Sequence, residues 1–411
     1  PRWRSAPTFT DGACSGPESQ PTTSDSSGDR RRHRARWPSW ASQRRLCRVP
    51  EQFPLFPVSR QHLDVLTTEI GIMQHAQGAR PDPSHGYCTD DVARALMVDL
   101  LHQRQLGWLA VAASADRNVN FLAEAFESST GRFRNLRRWD GAWLDLPGSE
   151  DANARALQAL AEVIASAPTS AVRDHASALF ERAFSTASQV NSLRPQATVI
   201  LACEAVARTR GLDVVADVYE RVANGIWRPF AGCESDTDWP WPEALVTYEN
   251  ELLPQALIVA GRRLRRPRMV QAGSHVLDWL IDAQVDANGD LRTVGNAGWW
   301  PRGGQVARYD QQPISTTTLL LAAETAFGET AEPRYRDAVE SAYGWFLGHN
   351  DAHAPVADPT SGAGADGIGP AGVSRNQGAE STLMWLIALE HTRDLRARNA
   401  HSTAESGEAF G

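Results

Sequence analysis

Eight carboxylates stand at or beside the starts of apolar segments: Asp90, Asp91, Glu150, Asp151, Glu243, Glu249, Asp310 and Glu380. Paired carboxylates suit the hydrolysis of a glycosidic bond. One carboxylic acid protonates the leaving oxygen while a second carboxylate activates water or attacks the sugar directly. Within this set Asp151 is expected as general acid and Glu380 as the base of an inverting reaction, with Asp91 and Asp310 holding hydroxyls. Asp90, Glu150, Glu243 and Glu249 are expected to bind substrate. Tryptophans form the second signal, because Trp139, Trp143, Trp239, Trp241, Trp299 and Trp300 all precede apolar segments. A sugar ring offers C–H groups to an aromatic face and hydroxyls to acids and amides at its edge. The expected binding set is therefore Trp239, Trp241, Trp299 and Trp300 with Arg155, Tyr248, Gln311, Gln312, Asn376 and Gln377. Plugging of loop–helix junctions is the competing role for the tryptophans, and helix capping the competing role for any single acidic cluster.

Other chemistries find less support. His75 and His85 flank a turn and are candidates either for substrate contact or for a satisfied structural role, whereas Cys88 lacks a base to activate it. Gly295–Gly304 is glycine-rich but has neither phosphate-loop spacing nor a preceding strand. No HExxH, Cys/His set or calcium-loop pattern occurs, so no metal and no cofactor is expected. Asp90-Asp91-Val92-Ala93-Arg94 has arginine where the last acid of a DDxxD site would stand, which argues against a terpene cyclase.

The elements that must carry these groups read as helix after helix, with apolar residues recurring at three and four. First members of helix pairs are expected at about 59–76, 108–127, 171–189, 213–227, 269–284 and 332–349. Second members open on polar or acidic clusters and then turn small and apolar. They begin at Thr89, Ser149, Arg194, Tyr248, Asp310 and Asn376. Six such pairs predict an all-α toroid in which small residues pack an inner ring and outer helices carry one apolar stripe. Inner helices that run parallel bring all six starts, five of them with acidic clusters, to one end. There Arg94 and Arg155 are candidate partners relieving the repulsion.

The series GYCTDDVARAL, GSEDANARAL, WPWPEALVTYENELLPQAL, YDQQP and NQGAESTLMWLIAL resembles a bacterial family of (α/α)6-barrel proteins, labelled glycosidase-like or glycosyltransferase. The resemblance spans about residues 60–392. It implies a six-hairpin glycosidase architecture acting on an oligosaccharide or polysaccharide, with a glycosyltransferase as an attached or partner module. Carried over by position, Asp90 and Asp91 match the first acidic pair, Glu150 and Asp151 the second, Asp310 the DQQP acid and Glu380 the last. This chain departs at Asp151-Ala152-Asn153-Ala154-Arg155, where a Ser-His-Gly-like stretch is the family's pattern. Competing readings are a non-catalytic carbohydrate-binding toroid serving a glycosyltransferase, and a sugar epimerase, which would call for histidine bases at the cavity.

Composition sets the remaining expectations. The chain carries −8 overall, and its first 50 residues hold ten arginines against four acids, so the rest is more acidic still and suits no nucleic acid. No apolar run is long enough for a membrane span. Five scattered cysteines without a CxxC pair suggest reduced thiols and a cytoplasmic setting. Residues 1–57 are expected as a disordered Arg/Ser/Pro-rich leader, 58–394 as the barrel and 395–411 as a disordered tail.

Overall fold

The computed structural model describes residues 52–233, 236–286 and 288–408, with side chains described to residue 400. The leader expectation for residues 1–51 lies outside the described residues. Six inner helices follow one another in sequence: α2 (Thr89–Leu106), α4 (Glu150–Ser166), α6 (Leu193–Arg210), α8 (Leu252–Arg263), α10 (Pro313–Thr330) and α12 (Ala379–Glu408). Each touches its neighbours, and α12 returns to α2, so the ring closes. Outer helices α3 (Trp108–Ala125), α5 (Ser170–Phe184), α7 (Ala216–Cys233), α9 (Pro267–Gln284) and α11 (Pro333–Phe346) pack between and behind them.

Burial separates the two rings as the patterns predict. On α10, Ile314, Ser315, Thr316, Thr317, Thr318, Leu319 and Leu320 are buried in succession, which fits a helix surrounded on every side. On α7, burial recurs at Tyr219, Val222, Ala223, Ile226 and Phe230, a single stripe. Alanines at 152, 154, 156 and 159 on α4 face a ring in which α6 supplies Ala197, Ala202 and Ala205, all buried. Small side chains let helix axes approach closely. Glycine does the same where α8 meets α9, because a Cβ on Gly273 would stand 2.9 Å from Ile258 Cγ1 and from the Pro254 carbonyl oxygen.

Three expectations are corrected. The first outer helix is only α1 (Gln61–Leu66), because Thr68 Oγ1 donates to the Gly71 carbonyl and turns the chain into a hairpin pairing Ala76–Gln77 with Arg80–Pro81. Residues 53–56, assigned above to the leader, dock on the barrel: Arg396 Nη1 donates to the Phe53 carbonyl, Tyr343 Oη to that of Pro54 and Arg393 Nη2 to that of Phe56. The tail from 395 continues α12, with Leu395 buried and Arg396 paired to Glu340 at 2.5 Å. Among the described residues no helix is long and apolar enough to cross a membrane.

Candidate functional site

The starts of the inner helices are held by specific local chemistry. Ser149 Oγ accepts from the Ala152 amide at 3.2 Å and caps α4. Glu150, one residue on, accepts the backbone N–H groups of Asn191 and Ser192 at 2.9–3.1 Å, so it ties α4 to the entrance of α6. Its carboxyl is lowered because these hydrogen bonds outweigh its partial burial. Glu150, expected above to bind substrate, thus has a structural role in joining two inner helices.

Between those starts lies a ring of carboxylates and guanidiniums drawn from five inner-helix entrances. Arg155 Nη2 donates to both oxygens of Glu249 at 2.9 and 2.7 Å, and its Nε lies 3.5 Å from Asp90 Oδ1. Arg94 Nη1 stands 3.2 Å from Asp91 Oδ1 and 3.3 Å from Glu380 Oε2, joining α2 to α12. Asp91 also accepts from the Cys88 thiol at 3.1 Å. Arg194 staples the loop before α8: its Nε donates to the Tyr248 carbonyl at 2.6 Å, Nη1 to Glu243 at 3.1 Å and Nη2 to Thr247 Oγ1 at 2.9 Å. That clamp holds Glu249 at φ 45°, an uncommon backbone state for a residue with a Cβ.

Two of the acids differ from the others. Glu380 is reached by solvent across 39% of its side chain yet is walled by protein, which raises its carboxyl to about 7. Burial is the main cause; Arg94 opposes it, and Asp91 and Glu249 add to it. Asp151, half-buried, makes no hydrogen bond among the described residues and is also raised, by burial and by Asp90 against the pull of Arg155 and Arg194. By contrast Glu249 is lowered, since Arg155 and Arg94 overcome its burial. Asp91 is buried and raised by desolvation. Tyr248 stands beside Asp151, its hydroxyl pushed up to about 12 by burial first and Asp151 next, with the Arg194 guanidinium 4.8 Å from its ring centroid. The Trp299 ring lies 6.5 Å from that of Tyr248.

Other expected residues lie elsewhere. Trp239 and Trp241 are buried and donate their indole N–H groups to backbone carbonyls, while Trp300 stacks on Trp279 at 4.5 Å with Trp239 edge-on. Trp241 in turn meets Phe230 edge-on, so all three have aromatic partners within the fold. Gln311 is fully buried between Asp351, the Arg308 carbonyl and the Trp345 indole. Asn376 Oδ1 accepts from the Gly78 amide, and the Gln377 carbonyl accepts from His62. Asp310 stands at φ 59°, and Gln312 is the residue that precedes the first turn of α10. The segment 351–372, rich in glycine and alanine, is pinned by Asp351 to Arg292 and Arg308 and by a bridge from Ile368 to Gln311. Sequence reasoning left Arg194 out of the site. Its signal was its place at the start of a second-member helix, where Arg94 and Arg155 also belong to the opening turns.

His75 and His85 sit at the same end, both exposed, with ring centroids 4.5 Å apart. His75 is lowered by burial and then by His85, with Asp366 and Glu380 opposing. Among the described residues no group of three or more His, Cys, Asp or Glu side chains is placed to hold a metal ion.

No family model matches the sequence, and no curated protein matches it. Solved structures do. The chain is similar to a D-mannose isomerase, with 12% identity, TM-score 0.62 and coverage of 81% of this chain and 93% of that one. It is similar to the cellobiose 2-epimerase of Spirochaeta thermophila, with 14% identity, TM-score 0.60 and coverage of 82% and 95%. It is also similar to a GH76 α-mannanase of Bacteroides thetaiotaomicron, with 8% identity, TM-score 0.58 and coverage of 83% and 96%. The fold is therefore the (α/α)6 barrel. At such identities the likeness speaks for architecture and leaves chemistry to the residues.

Proposed function

We propose that this barrel is a carbohydrate-active enzyme that hydrolyses a glycosidic bond between Glu380 and Asp151. The observation that carries the reading is a solvent-reached carboxyl held near neutral pH in a ring of otherwise committed charges. A general acid must be protonated at working pH, and Glu380 meets that condition. Asp151, restrained by Arg155 and Arg194, is then the base or nucleophile. These roles reverse the sequence expectation, because only the fold places Glu380 where burial and two neighbouring acids favour its protonated form. Tyr248 and Trp299 supply ring surface, Asp90 and Glu243 hydroxyl contacts. The structural neighbours named as carbohydrate enzymes, and the motif resemblance, support the same class of substrate.

A second reading is favoured by His75. An exposed imidazole with a depressed pKa is neutral near pH 7 and can remove a proton next to a sugar carbonyl, with His85 beside it to return one. That is epimerase or isomerase chemistry, as in the names of two structural neighbours. A glycan panel separates the two. Hydrolysis releases shorter products, disappears in Glu380→Gln, and falls as pH rises through about 7. Epimerisation changes configuration by NMR without shortening the chain and disappears in His75→Asn. Binding with neither outcome identifies an accessory sugar-binding toroid, the glycosyltransferase-associated alternative.

A further inference from the structure

The carbohydrate reading leaves the charge class of the sugar open, and the depth of each charged group at the mouth narrows it. The arginines are set back: Arg94 keeps 5% of its side-chain surface, Arg194 9% and Arg155 10%. Three of the acids stand forward, with Glu380 keeping 39%, Glu243 36% and Asp90 21%, while Asp91 and Glu249 keep 5% and 4%. Each guanidinium pairs with an acid, Arg155 with Glu249, Arg94 with Asp91 and Glu380, Arg194 with Glu243, while the Nε–H groups of Arg94 and Arg155 make no hydrogen bond among the described residues. A ligand entering this end therefore meets carboxylate oxygens first. Six carboxyls, Asp90, Asp91, Asp151, Glu243, Glu249 and Glu380, stand against three arginines at this end.

We propose that the mouth selects neutral or ammonium-bearing sugars and rejects hexuronates, sulfated sugars, sugar phosphates and inorganic phosphate. The inference rests on the carbohydrate reading of the same site. Like charges brought together in a partly dry recess repel more strongly than in water. The hydroxyl-donating edge of a neutral ring instead finds acceptors at Asp90, Glu243 and Asp151, and its C–H face finds Tyr248 and Trp299. Two further arginines near this end, Arg80 and Arg375, are exposed on the loops that Asn376 ties together at Gly78. In open water their charges are screened within about a Debye length. One consequence concerns the acceptor. Phosphate is excluded, so bond cleavage here adds water: its hydroxyl goes to the anomeric carbon and its second proton is taken by the base, while the general acid gives its proton to the leaving oxygen.

The test uses the full chain and matched oligosaccharides that differ only in charge, namely neutral hexose, 2-amino-2-deoxyhexose and hexuronate, with inorganic phosphate as a separate probe. Affinity is read by calorimetry and thermal shift at low and high salt. Neutral and amino sugars are expected to bind at least about tenfold more tightly than the hexuronate, a gap of about 1.4 kcal/mol. Salt is expected to narrow the gap, phosphate to leave melting unchanged, and Glu243→Gln to bring the hexuronate closer to the neutral sugar. Hexuronate or phosphate binding as tightly as the neutral sugar overturns the charge selectivity while leaving the carbohydrate reading intact. Failure of every sugar to bind overturns the carbohydrate reading, and the selectivity with it.

Discussion

Glu249 is the residue whose removal tests the charge ring most directly. It is 3% exposed, sits at φ 45° and receives two hydrogen bonds from one nitrogen of Arg155, itself only 9% exposed. Truncation to alanine strands a buried guanidinium, with Asp90 Oδ1 at 3.5 Å as its nearest remaining acid. Removing one partner of a buried pair costs about 3–5 kcal/mol, far more than a surface pair. Roughly 350 ordered residues at about 2.1 cal/mol/K each give an unfolding entropy near 0.7 kcal/mol/K, so Glu249→Ala is expected to lower the melting temperature by about 4–7 °C. Two controls separate charge from backbone. Glu249→Gly loses the same carboxylate but tolerates the left-handed backbone, and should be less destabilising than alanine by about 1 kcal/mol. The double change Glu249→Leu with Arg155→Met removes both charges and should recover much of the loss. Urea and thermal unfolding of the wild type and the three variants supply the comparison. A loss below about 1 kcal/mol in Glu249→Ala, or a double variant no more stable than the single, refutes the account of this pair as mutually dependent buried charges.

Two further outcomes follow from groups outside the site. Asp99 is buried, accepts from Arg60 at 2.7 Å and Asn118 at 2.9 Å, and is raised to about 6 by burial against the pull of Arg60. Its folded value lies above the unfolded one, so its stabilisation is complete below about pH 4 and lost as pH rises through about 6. Asp99→Asn should flatten that part of the urea-midpoint profile, and an unchanged slope would assign the titration elsewhere. Gly273→Ala forces a methyl against Ile258 and the Pro254 carbonyl oxygen and should cost about 1–3 kcal/mol. Gly328→Ala, in a helix with open space around it, should be neutral or stabilising by about 0.4–1 kcal/mol. Equal effects at both glycines would contradict the close approach of α8 and α9.

The helical alternation and the acidic entrances were open to reading in the chain because their causes are local. A stripe at three and four dictates which face of α7 is buried, and Ser149 caps α4 through a bond within four residues of itself. The same locality misled at residues 59–76, where the turn closed by Thr68 and Gly71 interrupts an apolar pattern, and at 395–408, where contacts with Glu340 and Glu324 from other helices fasten a polar segment. Which acid meets which partner was decided only in three dimensions. Glu150 and Asp151 are adjacent in sequence, yet one accepts backbone amides at the entrance of the next inner helix while the other, beside Tyr248, makes no side-chain hydrogen bond among the described residues. Trp239, Trp241 and Trp300 resemble Trp299 in sequence context, but their ring partners are Trp279 and Phe230 while Trp299 stands near Tyr248. Periodicity and capping depend on neighbours a few residues away. The protonation of Glu380 depends on Arg94, Asp91 and Glu249, which lie 130 to 290 residues earlier and meet it only when the ring closes.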